Sequence, residues 1–173
     1  MKDLNSPRDA TVESDSYREI LSSHSSNKHY LLRAGFNQLK NDMAFTQIRF
    51  YCFKKKAGRV FHIMTNNDAK GAKVVEFFTE SDTRPEACDS FTRLPDDNST
   101  LARNCNMWGY FTTDRWGHSS FLDDVRLYLR PVFWKDENYY AFYFQDNDPR
   151  LFCDDRRDEN AASLGDTWHI FVR

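Results

Sequence analysis

Glycine and proline are scarce in this 173-residue chain, with 6 and 5 residues respectively, which excludes collagen-like and low-complexity architectures. No apolar run approaches the roughly 18 residues that a membrane-spanning helix needs. Charge of one sign is lacking as well: 24 Lys and Arg stand against 26 Asp and Glu, for a formal net charge of -2. A chain balanced in this way has no long-range field to draw in nucleic acid or an anionic membrane. Its longest basic run, Lys54-Lys55-Lys56, is too short to supply one and reads as a solvated hairpin tip. The glycine-rich phosphate-binding patterns, G-x-S-x-G and H-E-x-x-H are all absent, and no C-x-x-C pair marks zinc or thioredoxin-type redox chemistry. The opening residues, Met1 to Pro7, are polar and lead into no apolar segment of a signal peptide.

Aromatic residues, by contrast, are plentiful: 15 Phe, 8 Tyr and 4 Trp. Such side chains favour pleated, half-buried surfaces, so the composition points to strands. The length suits one hydrophobic core. Four widely spaced cysteines without metal spacing predict two disulfides, the alternative being four buried free thiols. Of the three connectivities, Cys88–Cys105 closes a polar loop and Cys52–Cys153 ties two strand ends together, and these are the pairings expected. Disulfides imply an extracellular location, against which the polar start of the chain sets a cytoplasmic alternative.

Residues 1–28 read as a loosely ordered N-terminal arm with one short helical pattern, Tyr17, Ile20, Leu21 and His24, capped by Ser14 or Asp15. Residues 29–173 read as a disulfide-stapled β domain. Within it, Tyr30-Leu31-Leu32 opens a first strand, with a helix over Phe36, Leu39 and Met43 as the competing reading. Thr46–Phe53 alternates cleanly, placing Ile48, Phe50 and Cys52 on one face and Gln47, Arg49, Tyr51 and Phe53 on the other. A turn ending at Gly58 returns the chain along Arg59–Thr65. Val74–Thr79 is expected to be a strand, Phe91–Leu94 a short one, Val125–Trp134 and Tyr139–Gln145 a second hairpin, and Thr167–Arg173 a closing strand. Strands joined by short turns predict a mostly β fold, a single antiparallel sandwich or barrel-like domain. The run Arg49-Phe50-Tyr51-Cys52 resembles the Cys-terminated strands of dermatopontin and fibrinogen-related domains; the resemblance covers these residues and carries no site residue with it.

Two stretches attract functional expectations. Trp108, Tyr110, Asp114, Arg115, Trp116 and His118 supply aromatic floors and hydrogen-bonding groups in one loop-rich stretch, the residue types of a sugar-stacking platform. The competing reading packs both tryptophans into the core. Six carboxylates crowd around Cys153, and Asp146, Asp148, Asp154 and Asp155 are the candidate calcium ligands, since calcium takes six to eight oxygens. The EF-hand pattern fails there, because Leu151 stands where the loop needs glycine. Asp96-Asp97 and Asp123-Asp124 are weaker acidic pairs. The sequon Asn98-Ser99-Thr100 marks Asn98 as a glycosylation candidate. Ser119 or Ser120 with His118 and Asp114 carries the letters of a hydrolase without its motif. The chain is therefore expected to be a noncatalytic extracellular recognition module, lectin-like or adhesive, binding a glycan or matrix ligand with or without calcium. A structural or protein-interaction domain is the alternative. No nucleic acid, membrane span or catalytic residue is expected.

Overall fold

The computed structural model describes residues 2–3, 12–22, 29–111, 113–118, 124–134, 140–143, 151–156 and 165–173. In chain order the elements are β1 (Lys2–Asp3), β2 (Val12–Ser14), α1 (Tyr17–Ser22), β3 (His29–Leu31), α2 (Arg33–Met43), β4 (Ile48–Lys54), β5 (Arg59–Thr65) and α3 (Ala69–Thr79). Then follow β6 (Phe91–Arg93), α4 (Thr100–Arg103), β7 (Val132–Trp134), β8 (Tyr140–Tyr143), β9 (Phe152–Cys153) and β10 (Thr167–Val172).

The β4–β5 hairpin forms where alternation places it, with Tyr51 opposite His62 and Phe50 opposite Ile63. Gly58 takes φ 64° at the turn, a conformation glycine adopts without strain. This hairpin is the centre of an antiparallel sheet ordered β1-β10-β4-β5-β6. Its inner face carries Ile48, Phe50, Cys52, Phe61 and Ile63, all fully buried. Beyond Arg93 the edge of β5 is covered by the Leu94 and Asn98 amides, which donate to the His62 and Val60 carbonyls, and by side chains. Pro95 has no N–H to continue the ladder, and Asp97 Oδ2 and Asn98 Oδ1 accept the His62 and Val60 amides, each at 2.7 Å.

Strands dominate less than the sequence implies. A second antiparallel sheet, β7-β8-β9, and the helices together cover the inner face, no barrel closes among the described residues, and helix nearly equals strand. The architecture is a small mixed α/β domain, not clearly a single sandwich. Two corrections explain the difference. Val74–Thr79 is the second half of α3: Asp68 caps the helix by accepting the Lys70 and Gly71 amides at 2.9 Å, and Val74, Val75, Phe77 and Phe78 all turn inward. A run of valine and phenylalanine that is buried along a helical stripe looks identical, residue by residue, to a buried strand. Residues 125–130 are turns, so β7 begins only at Val132. The competing helix over Phe36 is also present, as α2, directly after β3. The short N-terminal helix forms as α1, and β2 pairs in parallel with β3.

Arg126 shows how the helix layer is anchored. Its guanidinium is 1% exposed, donates to the carbonyls of Phe77 and Ser81 at the C-terminal end of α3, and lies over the Phe77 ring. Such a cation satisfies orphan carbonyls at a helix end. Asp82 accepts from Arg126 at 2.8 Å and from Arg33 at 2.6 Å, and these bonds hold its carboxyl below the ordinary range. A lowered carboxylate contributes stability that is present above its unfolded value, near pH 4, and is lost as pH falls through the folded value. Asp82→Asn should therefore lower the melting temperature at neutral pH. It should also flatten the acid limb of a melting-temperature profile taken from pH 7 to pH 2. An unchanged acid limb would contradict this role.

Both expected disulfides are formed, Cys52–Cys153 and Cys88–Cys105, and they fit an oxidising compartment. The first joins β4 to β9 and thus clamps the two sheets.

Candidate functional site

The tryptophans expected to form a platform lie inside the core. Trp108 and Trp116 are fully buried, 5.1 Å apart in an edge-to-face pair, and Phe91 stacks on Trp108 at 5.0 Å. Their indole N–H groups donate inward, to the Leu101 carbonyl and to Ser90 Oγ, each at 2.8 Å. Neither ring offers a face to a ligand. The reason is the size of the gap between α3, β5 and the second sheet, which the large aromatic side chains fill. His118 is 4% exposed between the rings of Tyr110 and Phe133, at 5.0 and 4.8 Å. Asp114 accepts the Ala87 and Cys88 amides at 3.0 and 2.8 Å and so pins the Cys88–Cys105 loop. Tyr110 and Arg115 reach the surface. Ser119 and Ser120 lie outside the described residues, as do Asp146, Asp148 and Asp123.

Asp154 and Asp155 have structural partners. Both are fully buried. Asp154, directly after β9, accepts the Thr100 and Leu101 amides at 2.8 and 2.5 Å and the Arg59 guanidinium at 2.7 Å, and so caps the start of α4. Burial pushes its carboxyl above the ordinary range, while those three donors pull it back. Asp155 receives the Lys54 ammonium and the Cys153 amide. Lys54 is itself fully buried and donates also to the Leu151 carbonyl at 2.7 Å. Burial opposes the charged form of both, lowering Lys54 and raising Asp155, and each partner draws the other back towards ionisation. These two carboxylates are thus taken up by protein donors. Among the described residues no three His, Cys, Asp or Glu side chains gather as a metal ion would need.

Among the described residues, the outer face of the main sheet carries partly exposed aromatic and polar groups side by side. Strand alternation puts Arg49, Tyr51 and Phe53 of β4, Val60, His62 and Met64 of β5, and Thr167, His169 and Phe171 of β10 on that face. Register aligns His169, Tyr51 and His62 in one row across three strands, with ring centroids 5.6 and 5.0 Å apart. His62 Nδ1 lies 2.6 Å from Asp96 Oδ1, which ends the row in a carboxylate. In the adjoining row Arg49 lies over Phe171 at 3.9 Å, and His169 stacks parallel to Phe171 at 5.5 Å. Phe171 is 38% exposed. Arg49, Met64, Leu94, Phe171 and the terminal Arg173 line a recess of about 460 Å³ on this side. Asn98, the sequon residue, is exposed at the nearby edge of β5.

None of these rings was a site candidate from the sequence. Their signal was there: the second face of each alternating strand held Tyr, His, Phe and Arg where a solvated face ordinarily carries Lys, Glu, Thr and Ser. No protein-family model matches the chain, and no curated protein or solved structure matches it significantly.

Proposed function

We propose that this chain is a noncatalytic extracellular recognition domain that binds a glycan across the outer face of its main sheet. The observation that carries this reading is the row His169–Tyr51–His62 beside Phe171 and Arg49, which mixes ring surface with hydrogen-bonding groups on a rigid sheet. Sugar rings present C–H faces to aromatic groups and hydroxyls to guanidinium, imidazole and carboxylate, and a binding site needs few such polar groups around an apolar floor. The adjoining recess has the size of a small-ligand cleft. A sheet face is also stiff, so little conformational entropy opposes binding there.

A glycan array probed with the folded domain, with and without added calcium, tests the reading. Tyr51→Ala and Phe171→Ala should each weaken the strongest array signal by about tenfold or more, because each removes ring contact worth roughly 1.4 kcal/mol. Trp108 and Trp116 lie too deep to act directly. Calcium dependence of the signal would direct attention to Asp146 and Asp148. Absence of any binding by folded protein in either condition would end the glycan reading in favour of a protein-interaction domain.

A further inference from the structure

A second surface cleft, of about 390 Å³, lies between α3 and residues 81–86 and shares no lining residue with the outer-face recess. Four cations line it, Lys70, Lys73, Arg84 and Arg115, against two carboxylates, Glu76 and Glu86, and Lys70 is also paired with Asp89 at 3.2 Å at the margin. This excess of positive charge sits in a chain whose net charge is negative. The helix supplies Lys70, Lys73 and Glu76 at three-residue spacing, so they line one side of the cleft.

Arg84 is its fixed element. Its Nε donates to the Trp116 carbonyl and its Nη2 to the Gly117 carbonyl, both at 2.8 Å, which locks the guanidinium plane. Gly117 takes φ 68° there, with the Phe77 ring 2.9 Å from where a Cβ would stand, so this carbonyl pair has little freedom to move. Among the described residues no carboxylate pairs with Arg84 or with Lys73, and Arg115 reaches Glu86 only at 3.9 Å. A partly desolvated guanidinium without a counter-ion is unfavourable, and an oxyanion placed beside it removes that penalty. Burial, with the repulsion of Arg115 added, lowers the Arg84 pKa, as expected of a cation that lacks an anion.

We propose that this cleft binds a single oxyanion group, a sulfate ester or a carboxylate, borne on an acidic sugar. Arg84 and Arg115 hold the anion, Lys70 and Lys73 flank it, and Glu76 and Glu86 accept hydroxyl hydrogens of the sugar. Two features select this ligand class. Among the described residues no aromatic side chain lines the cleft, so a nucleobase finds no stacking partner in that lining. The two glutamates limit the positive excess, which disfavours a densely charged polyphosphate.

The test uses galactose, galactose 6-sulfate and galacturonate as probes at low ionic strength, followed by amide chemical shifts of residues 81–84, 86 and 115. Galactose 6-sulfate or galacturonate should bind at least tenfold tighter than galactose, and the better of the two identifies the anion. Arg84→Gln, shown by melting to be folded, should lose at least tenfold in affinity. Lys73→Gln, on an exposed helix position, should lose severalfold without touching the core. Lys56→Gln, at the hairpin tip far from the cleft lining, should change nothing. Equal binding of all three sugars would overturn the proposal. So would wild-type affinity in both Arg84→Gln and Lys73→Gln, or in Lys73→Gln alone if Arg84→Gln does not fold.

Discussion

Replacing Lys54 by methionine should destabilise this domain by about 3–5 kcal/mol, a large part of the roughly 5–15 kcal/mol that holds a small domain folded. The cause is what remains behind. Lys54 and Asp155 are both fully buried, and without the ammonium the Asp155 carboxylate loses its charged partner and keeps backbone amide donors, that of Cys153 at 2.6 Å among them, while the Leu151 carbonyl loses the Lys54 donor. An ionised group buried without a partner is far more costly than a missing attraction. The double variant Lys54→Met/Asp155→Leu removes both charges at once. It should recover at least half of the loss, because an apolar pair of similar volume needs no desolvation. Denaturant unfolding of wild type, both single variants and the double variant closes the cycle. Additive effects, with the double variant as unstable as the sum of the singles, would show that charge burial is not what couples these residues.

Removal of the Cys52–Cys153 disulfide should be nearly as damaging, and worse than removal of Cys88–Cys105. The two bridges span 101 and 17 residues. On the loop-entropy account they stabilise by about 4.7 and about 3 kcal/mol respectively. Packing widens the gap, since Cys52 and Cys153 are fully buried between the sheets whereas Cys88 and Cys105 are half-buried near the surface. Mild reductant should accordingly open Cys88–Cys105 first and leave most of the fold intact. Loss of Cys52–Cys153 frees β9, and with it the carboxylates that hold Lys54, Arg59 and the start of α4. Paired Cys→Ala variants, compared by midpoint and slope in urea, measure both effects. A larger loss from the 88–105 pair would contradict the assignment of the long bridge as the main clamp.

The long bridge and the buried ion pair lie side by side on the same two elements, and the sequence discloses them unequally. The four cysteines were few enough that strand ends and loop lengths selected the observed pairing. Twenty-six acidic residues against twenty-four basic ones admit no such selection. Asp154 and Asp155 looked like members of a solvated acidic loop because their partners, Arg59 and Lys54, are 95 and 101 residues away in the chain. Arg84 was invisible for the same reason: only the Trp116 and Gly117 carbonyls, brought across from a distant loop, make it a fixed donor.

Local alternation by itself determined the β4–β5 hairpin, the closing strand β10 and which residues of each share a face, since side-chain direction in a strand depends on nothing beyond the period of two. It could not determine which face would be covered. That was decided by α3 and the second sheet folding over Phe50 and Phe61, which drew Trp108 and Trp116 inward and left Tyr51, His169 and Phe171 on the outer side. Burial is a property of what arrives from elsewhere in the chain, and for aromatic residues, which suit core and binding surface alike, only the tertiary structure separates the two.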